Sequence, residues 1–184
     1  MRVNVTKSYL DLARSVIDTQ LHGEDADDAI FGLMSCTYIY SYLALVSFSS
    51  GQLHEIWNEE PNRLKAKYSE CESFEALMAG PLRDVKSALK ELAEQRGIEP
   101  LHKAYPQVWQ QLNQFLKRHR DFFIHPNPEK FSDMIEESGN LQWDYASSTA
   151  SGIIGYFFDA SIGKVPEWVS ESFLTSKGFK VKCI

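Results

Sequence analysis

The stretch from Arg118 to Pro126 combines cations, a carboxylate and imidazoles within about two helical turns. Its central residues are Arg120, Asp121 and His125. A guanidinium is a permanently charged, forked donor for phosphoryl oxygens, and an imidazole exchanges protons near neutral pH. Because the residue before a proline is disfavoured in the α conformation, we expect the helix to end at His125, with the ring near solvent. These residue types predict acid–base chemistry on a phosphate ester.

Helical geometry assigns each group a position. Asp121 and His125 are four residues apart and share a helix face, so the carboxylate is expected to orient the imidazole. Arg120 is rotated by about 100° from Asp121 and is expected to point into a cleft between two copies of the helix. Further substrate contacts are expected from the basic residues just before the motif, which are Lys117, Arg118 and His119.

These groups suit the cleavage of RNA. RNA carries its own nucleophile, the 2′-hydroxyl beside each phosphodiester, so the enzyme needs only to move protons and stabilise charge on the phosphoryl oxygens. His125 would transfer the proton, and Arg120 would bind the scissile phosphate and stabilise its transition state. This chemistry requires neither a metal nor a cofactor.

Arg120, Asp121 and His125 match the signature of the HEPN family, an arginine followed by four to six residues and a histidine, with asparagine or aspartate commonly after the arginine. Pro126 follows, as it often does there. The resemblance covers about nine residues. It implies a helical bundle and a metal-independent endoribonuclease of a toxin–antitoxin, phage-defence or RNA-processing system. It also implies a homodimer whose two motifs form one cleft, and an antitoxin protein as a candidate partner.

The same residues also have purely structural explanations. Basic side chains in a last helical turn stabilise it through the helix dipole and the unpaired carbonyls. The alternative function is therefore a catalytically inactive helical module that binds a protein partner or a nucleotide. The alternation of Tyr38, Tyr40 and Tyr42 places them on different helix faces, so core packing explains them better than base stacking.

Metal binding is not expected elsewhere in the chain. The cysteines Cys36, Cys71 and Cys183 have no metal-ligand spacing, and we interpret them as reduced thiols of a cytoplasmic protein. The acidic run from Glu24 to Asp28 fits no calcium loop. Acids at this place are typical of a first helical turn.

Length and composition predict one domain over residues 1–184, and the helical periodicity along the chain predicts that it is all-α. The chain is 43% hydrophobic and 24% charged, as in ordinary globular proteins. Its formal net charge of −6 rules out RNA binding through the global field, so RNA contact needs a local basic patch. Residues 29–53 lack charged side chains and are long enough to cross a membrane. Their many hydroxyl groups and acidic flanks instead favour a central, largely buried helix, with no membrane association.

Local signals predict most helix positions. The expected helices run from Thr6 to Leu21, through the apolar segment to near Gly51, from Ser73 to Gly80, from Leu82 to Arg96, from Pro106 to His125, from Asn127 to Gly139, from Tyr145 to Ala160 and onward from Pro166. Pro61 is expected in a loop. Only Gly178–Cys183 alternates like a strand, and it would need a pairing partner.

Overall fold

The computed structural model describes residues 4–17, 26–125, 145–169, 172–175 and 178–181, and most of these are helical. The helices are α1 (Val5–Ile17), α2 (Ala26–Glu59), α3 (Pro61–Lys67), α4 (Phe74–Ala79), α5 (Val85–Arg96), α6 (Leu101–Ala104), α7 (Pro106–Gln111), α8 (Arg118–Ile124) and α9 (Tyr145–Ile162). A π-helical segment, Leu112–Lys117, joins α7 to α8. Strand β1 (Ser172–Thr175) pairs antiparallel with β2 (Gly178–Val181). The predicted helical class is confirmed.

The long helix α2 is the centre of the fold. It packs against α1, α5, α8 and α9. Its apolar residues are spread around its circumference, which is the pattern of a helix covered on most sides, and Leu45 and Leu53 are fully buried. Within the described ranges, no helix combines the length and the apolar character needed to span a bilayer.

Helix α9 completes the core with Ala150, Ile153 and Ile154, all without exposed surface. Partly buried hydrogen bonds link α9 to α1 and to the segment that follows α9. The guanidinium of Arg14 donates to the hydroxyl of Ser151 at 2.9 Å and to the carbonyl of Trp168 at 3.0 Å. One α1 side chain therefore links three parts of the chain.

Side-chain caps fix the helices beside the candidate site. The Ser73 hydroxyl accepts from the Ala76 N–H at 3.1 Å and begins α4, and the Asp84 carboxylate accepts from the Lys86 N–H at 2.9 Å and begins α5. Gly97 ends α5 with a φ of 64°, a conformation that glycine adopts without steric cost. The helix predicted from Leu82 thus starts three residues later, at Val85.

Three further predictions are wrong. Helix α2 passes through Gly51 and ends at Glu59, because packing on α2 outweighs the modest cost of a glycine. Pro61 opens α3 instead of lying in a loop, since a first helical position needs no N–H donor. A turn, with the Val169 N–H donating to the Pro166 carbonyl, stands where a last helix was expected.

The predicted terminal strand is confirmed over Gly178–Val181, and its partner is Ser172–Thr175, which had been assigned to that helix. The predicted helix from Asn127 to Gly139 lies outside the described residues, as do the end of the first helix, Gly23 and the Glu24–Asp28 side chains.

Candidate functional site

One buried face continues from the π-helical segment into α8. Leu112, Leu116, His119 and Phe122 follow one another at intervals of four, three and three residues, and all are buried. A π turn inserts an extra residue into the helical repeat, and such turns are frequent at functional sites. The helix predicted from Pro106 is therefore present, with a π-helical segment just before Arg118.

Lys117, Arg120 and Asp121 line an open groove between α8, α2 and the turn that precedes α5. We call it the Arg120 groove. Its volume is about 590 Å³. Tyr42, Arg83 and Asp84 also line it. A space of this size is within the range of ligand sites in proteins.

The guanidinium of Arg120 is held from two sides. Its Cζ lies 4.0 Å from the centroid of the Tyr42 ring, a cation–π contact, and Nη1 lies 2.9 Å from Oδ1 of Asp121. The side chain is 21% exposed. Its Nε is buried and has no hydrogen-bond partner in the described part of the chain. Arg120 is thus held at the groove, where part of its side chain stays exposed.

Lys117 is engaged by a carboxylate on the opposite wall. Its Nζ lies 2.5 Å from Oδ2 of Asp84. The hydrogen bond to Asp84 raises the pKa of Lys117. Burial alone would raise the pKa of Asp84, but hydrogen bonds from Lys117 and the Lys86 N–H bring it below its ordinary value. Lys117 therefore joins the two walls, and the substrate contact expected of it would compete with its pairing to Asp84.

Arg83 was not predicted as a site residue. It is exposed on the groove wall opposite α8 and forms no ion pair with any described residue. No local sequence signal identifies it, because it comes to the groove only when the start of α5 packs beside α2 and α8.

His125 lies at the exposed end of α8, as Pro126 predicts. Its backbone N–H donates to the Asp121 carbonyl at 2.9 Å, and its φ and ψ of −130° and 70° are no longer helical. The expected contact between Asp121 and the imidazole is not formed, since the carboxylate binds Arg120 instead. His125 does not line the Arg120 groove. One chain thus brings Arg120 and Asp121 together and leaves His125 apart from them.

The expectation for His119 is wrong. Its ring is fully buried and stacks on Tyr38, with the ring centroids 5.0 Å apart. The phase of α8 places it among Leu116 and Phe122 on the inward face, so it belongs to the core and cannot contact a substrate. Arg118, its neighbour, is exposed and stays a candidate contact.

Comparison with known proteins gives no further guide to the site: no family model, no curated protein and no solved structure matches this chain.

Proposed function

We propose that the protein is a metal-independent endoribonuclease that binds RNA in the Arg120 groove. The 2′-oxygen attacks the neighbouring phosphorus, the bond from phosphorus to the 5′-oxygen breaks, and the products are a 2′,3′-cyclic phosphate and a 5′-hydroxyl. His125 transfers the proton. Arg120 stabilises the negative charge that develops on the phosphoryl oxygens.

The observation that carries this proposal is the held guanidinium of Arg120 at an open groove. Tyr42 and Asp121 fix its position before any ligand arrives, and donors fixed in advance stabilise developing charge without reorganisation. The groove supplies the local cationic patch that a chain of net charge −6 needs to bind RNA. The motif resemblance to the HEPN family favours the same chemistry.

A site composed of residues from two copies of the chain would bring His125 and Arg120 together. His125 is exposed at a helix end, so it is accessible to a second molecule. In a symmetric homodimer, His125 of one copy would reach the groove of the other, and the converse contact would form the second site. The proposed enzyme is therefore a homodimer.

A second candidate function has its own supporting observation. Asp121 binds Arg120 and not His125, so the ring lacks the carboxylate that usually orients a catalytic imidazole. This favours a non-catalytic module that holds a phosphate-bearing ligand, such as a nucleotide, in the groove.

Cleavage assays distinguish the two. Labelled single-stranded RNA is incubated with the protein in excess EDTA, and the products are tested for cyclic phosphate termini. We expect cleavage by the wild type and loss of about 100-fold or more in the His125→Ala variant. His102→Ala, at a histidine outside the groove, is the matched control and should cleave normally. Binding of RNA without cleavage would establish the second candidate instead.

A further inference from the structure

The charges of the Arg120 groove do not cancel. Arg83, Lys117 and Arg120 face Asp84 and Asp121, which leaves one positive charge in excess. Asp84 is paired with Lys117 and Asp121 with Arg120. In the described part of the chain, Arg83 is therefore the cation of this groove that has no carboxylate partner.

The backbone on both sides of Arg83 is firmly anchored. Leu82 and Val85 are each 2% exposed and belong to the core. The Arg83 N–H donates to the Gly80 carbonyl at 3.2 Å, and the Leu82 N–H donates to the Leu77 carbonyl at 3.0 Å. Because the turn is held in this way, binding a ligand would cost mainly the side-chain entropy of Arg83.

We propose that Arg83 is a second phosphate contact of this protein, on the wall that faces Arg120, and that it takes a backbone phosphate of single-stranded RNA next to the one at Arg120. Its forked guanidinium matches the two non-bridging oxygens of a phosphodiester. Two guanidinium groups on opposite walls suit a ligand with repeated phosphates better than they suit a ligand with a single anionic group.

This assignment deepens the proposed function, because it rests on RNA as the ligand of the groove. It gives Arg83 a role in affinity and none in proton transfer. Arg83 belongs to the turn before α5 and His125 to the far end of α8, so the two residues can be tested separately.

The test uses a fluorescent single-stranded oligoribonucleotide with 2′-O-methyl groups, which lacks the nucleophile and stays intact. Its dissociation constant is measured by anisotropy with full-length wild type, Arg83→Gln, Arg83→Lys and Lys103→Gln. Lys103 is an exposed cation on α6, outside the groove, and is the matched control for loss of one charge.

We expect Arg83→Gln to weaken binding about tenfold, Arg83→Lys to weaken it less, and Lys103→Gln to change it less than about twofold. Equal binding by Arg83→Gln and wild type overturns the assignment, as does a wild type that binds no oligonucleotide. If binding depends on Arg83 but unmodified RNA is never cleaved, the assignment stands and the nuclease proposal fails. Arg83→Gln should unfold at the wild-type urea concentration, because its side chain is exposed.

Discussion

The Arg120 groove and the cluster around Glu91 are both built from lysine–carboxylate pairs that join two segments of the chain, and they differ in how completely their charges are satisfied. The Glu91 carboxylate accepts from Lys67 at 2.8 Å, from Tyr68 at 2.7 Å and from Gln95 at 2.7 Å. Its side chain is 4% exposed. We call these four residues the Glu91 cluster.

In the Glu91 cluster the hydrogen bonds are complete within the protein. Burial alone would raise the pKa of Glu91, but hydrogen bonds from Lys67, Gln95 and Tyr68 lower it overall. Burial and the hydrogen bond to Glu91 raise the pKa of Tyr68 to about 12. The Glu91 carboxylate is satisfied within the protein, so this cluster fastens α3 to α5. The Arg120 groove is open, and Arg83 on its wall has no ion-pair partner among the described residues, so its donors are available to an anion.

The comparison predicts that stability depends most on the Glu91 cluster. Replacing Glu91 by Ala leaves Tyr68 and Gln95 without their acceptor and should lower the free energy of unfolding by about 2 to 3 kcal/mol. Lys67 is 40% exposed, so water replaces much of its lost interaction. The change is measured by urea unfolding.

Glu94→Ala is the matched control for this experiment. Glu94 also binds Lys67, but its side chain is 63% exposed, and its loss should cost about 0.5 kcal/mol or less. Equal losses in the two variants would contradict the distinction between a closed cluster and surface charges.

Acid should weaken the same cluster. The pKa of Glu91 is lower in the folded protein than in the unfolded chain, so its stabilisation is fully present above the unfolded value of about 4.3. It is lost as the pH falls through that value toward the folded pKa. Relative to Glu91→Gln, the stability advantage of the wild type should therefore shrink between about pH 7 and about pH 3.5. An advantage that grew with acid would contradict the assignment.

Tyr42 should act on the groove through Arg120. Tyr42→Leu removes the ring beneath the guanidinium and should weaken binding of the 2′-O-methyl oligonucleotide about fivefold, corresponding to about 1 kcal/mol of cation–π energy. Tyr42→Phe keeps the ring face and should bind within about twofold of the wild type. Leu45→Ala, a core change on the same helix, is the control, and it should lower stability without this loss of affinity.

The smallest expected effect is a gain in affinity for the oligonucleotide. Asp84→Asn keeps the cap of α5, since asparagine is an equally good N-cap, and it releases Lys117 from its carboxylate partner. With one more cation available, oligonucleotide binding should tighten about threefold, and the gain should diminish as salt is added. Weaker binding in this variant would indicate that Asp84 itself contacts the ligand.

Local signals predicted the parts of the fold that are decided locally. Ser73 and Gly97 mark helix ends because a hydroxyl cap and a left-handed glycine act within a few residues. The π turn at Leu112–Lys117 has no such signal. The burial of His119 does have one, because it follows Leu112 and Leu116 at helical spacing, but its basic residue type and its place beside the motif favoured a substrate contact instead. Arg83 and Tyr42 join the site only through tertiary packing, which is why the motif led to Arg120 and Asp121 but not to the residues around them.

The most direct test of the account is complementation between two inactive variants. His125→Ala and Arg120→Gln are each purified alone. The two variants are also co-expressed, so that their copies associate at random, and all three preparations are assayed for RNA cleavage in EDTA. If Arg120 of one copy works with His125 of the other, each variant alone is inactive and random mixing restores about a quarter of the wild-type activity, because one of the two sites in each mixed dimer is intact. A mixed preparation as inactive as its parents, beside a wild type that cleaves RNA, would contradict the composite site.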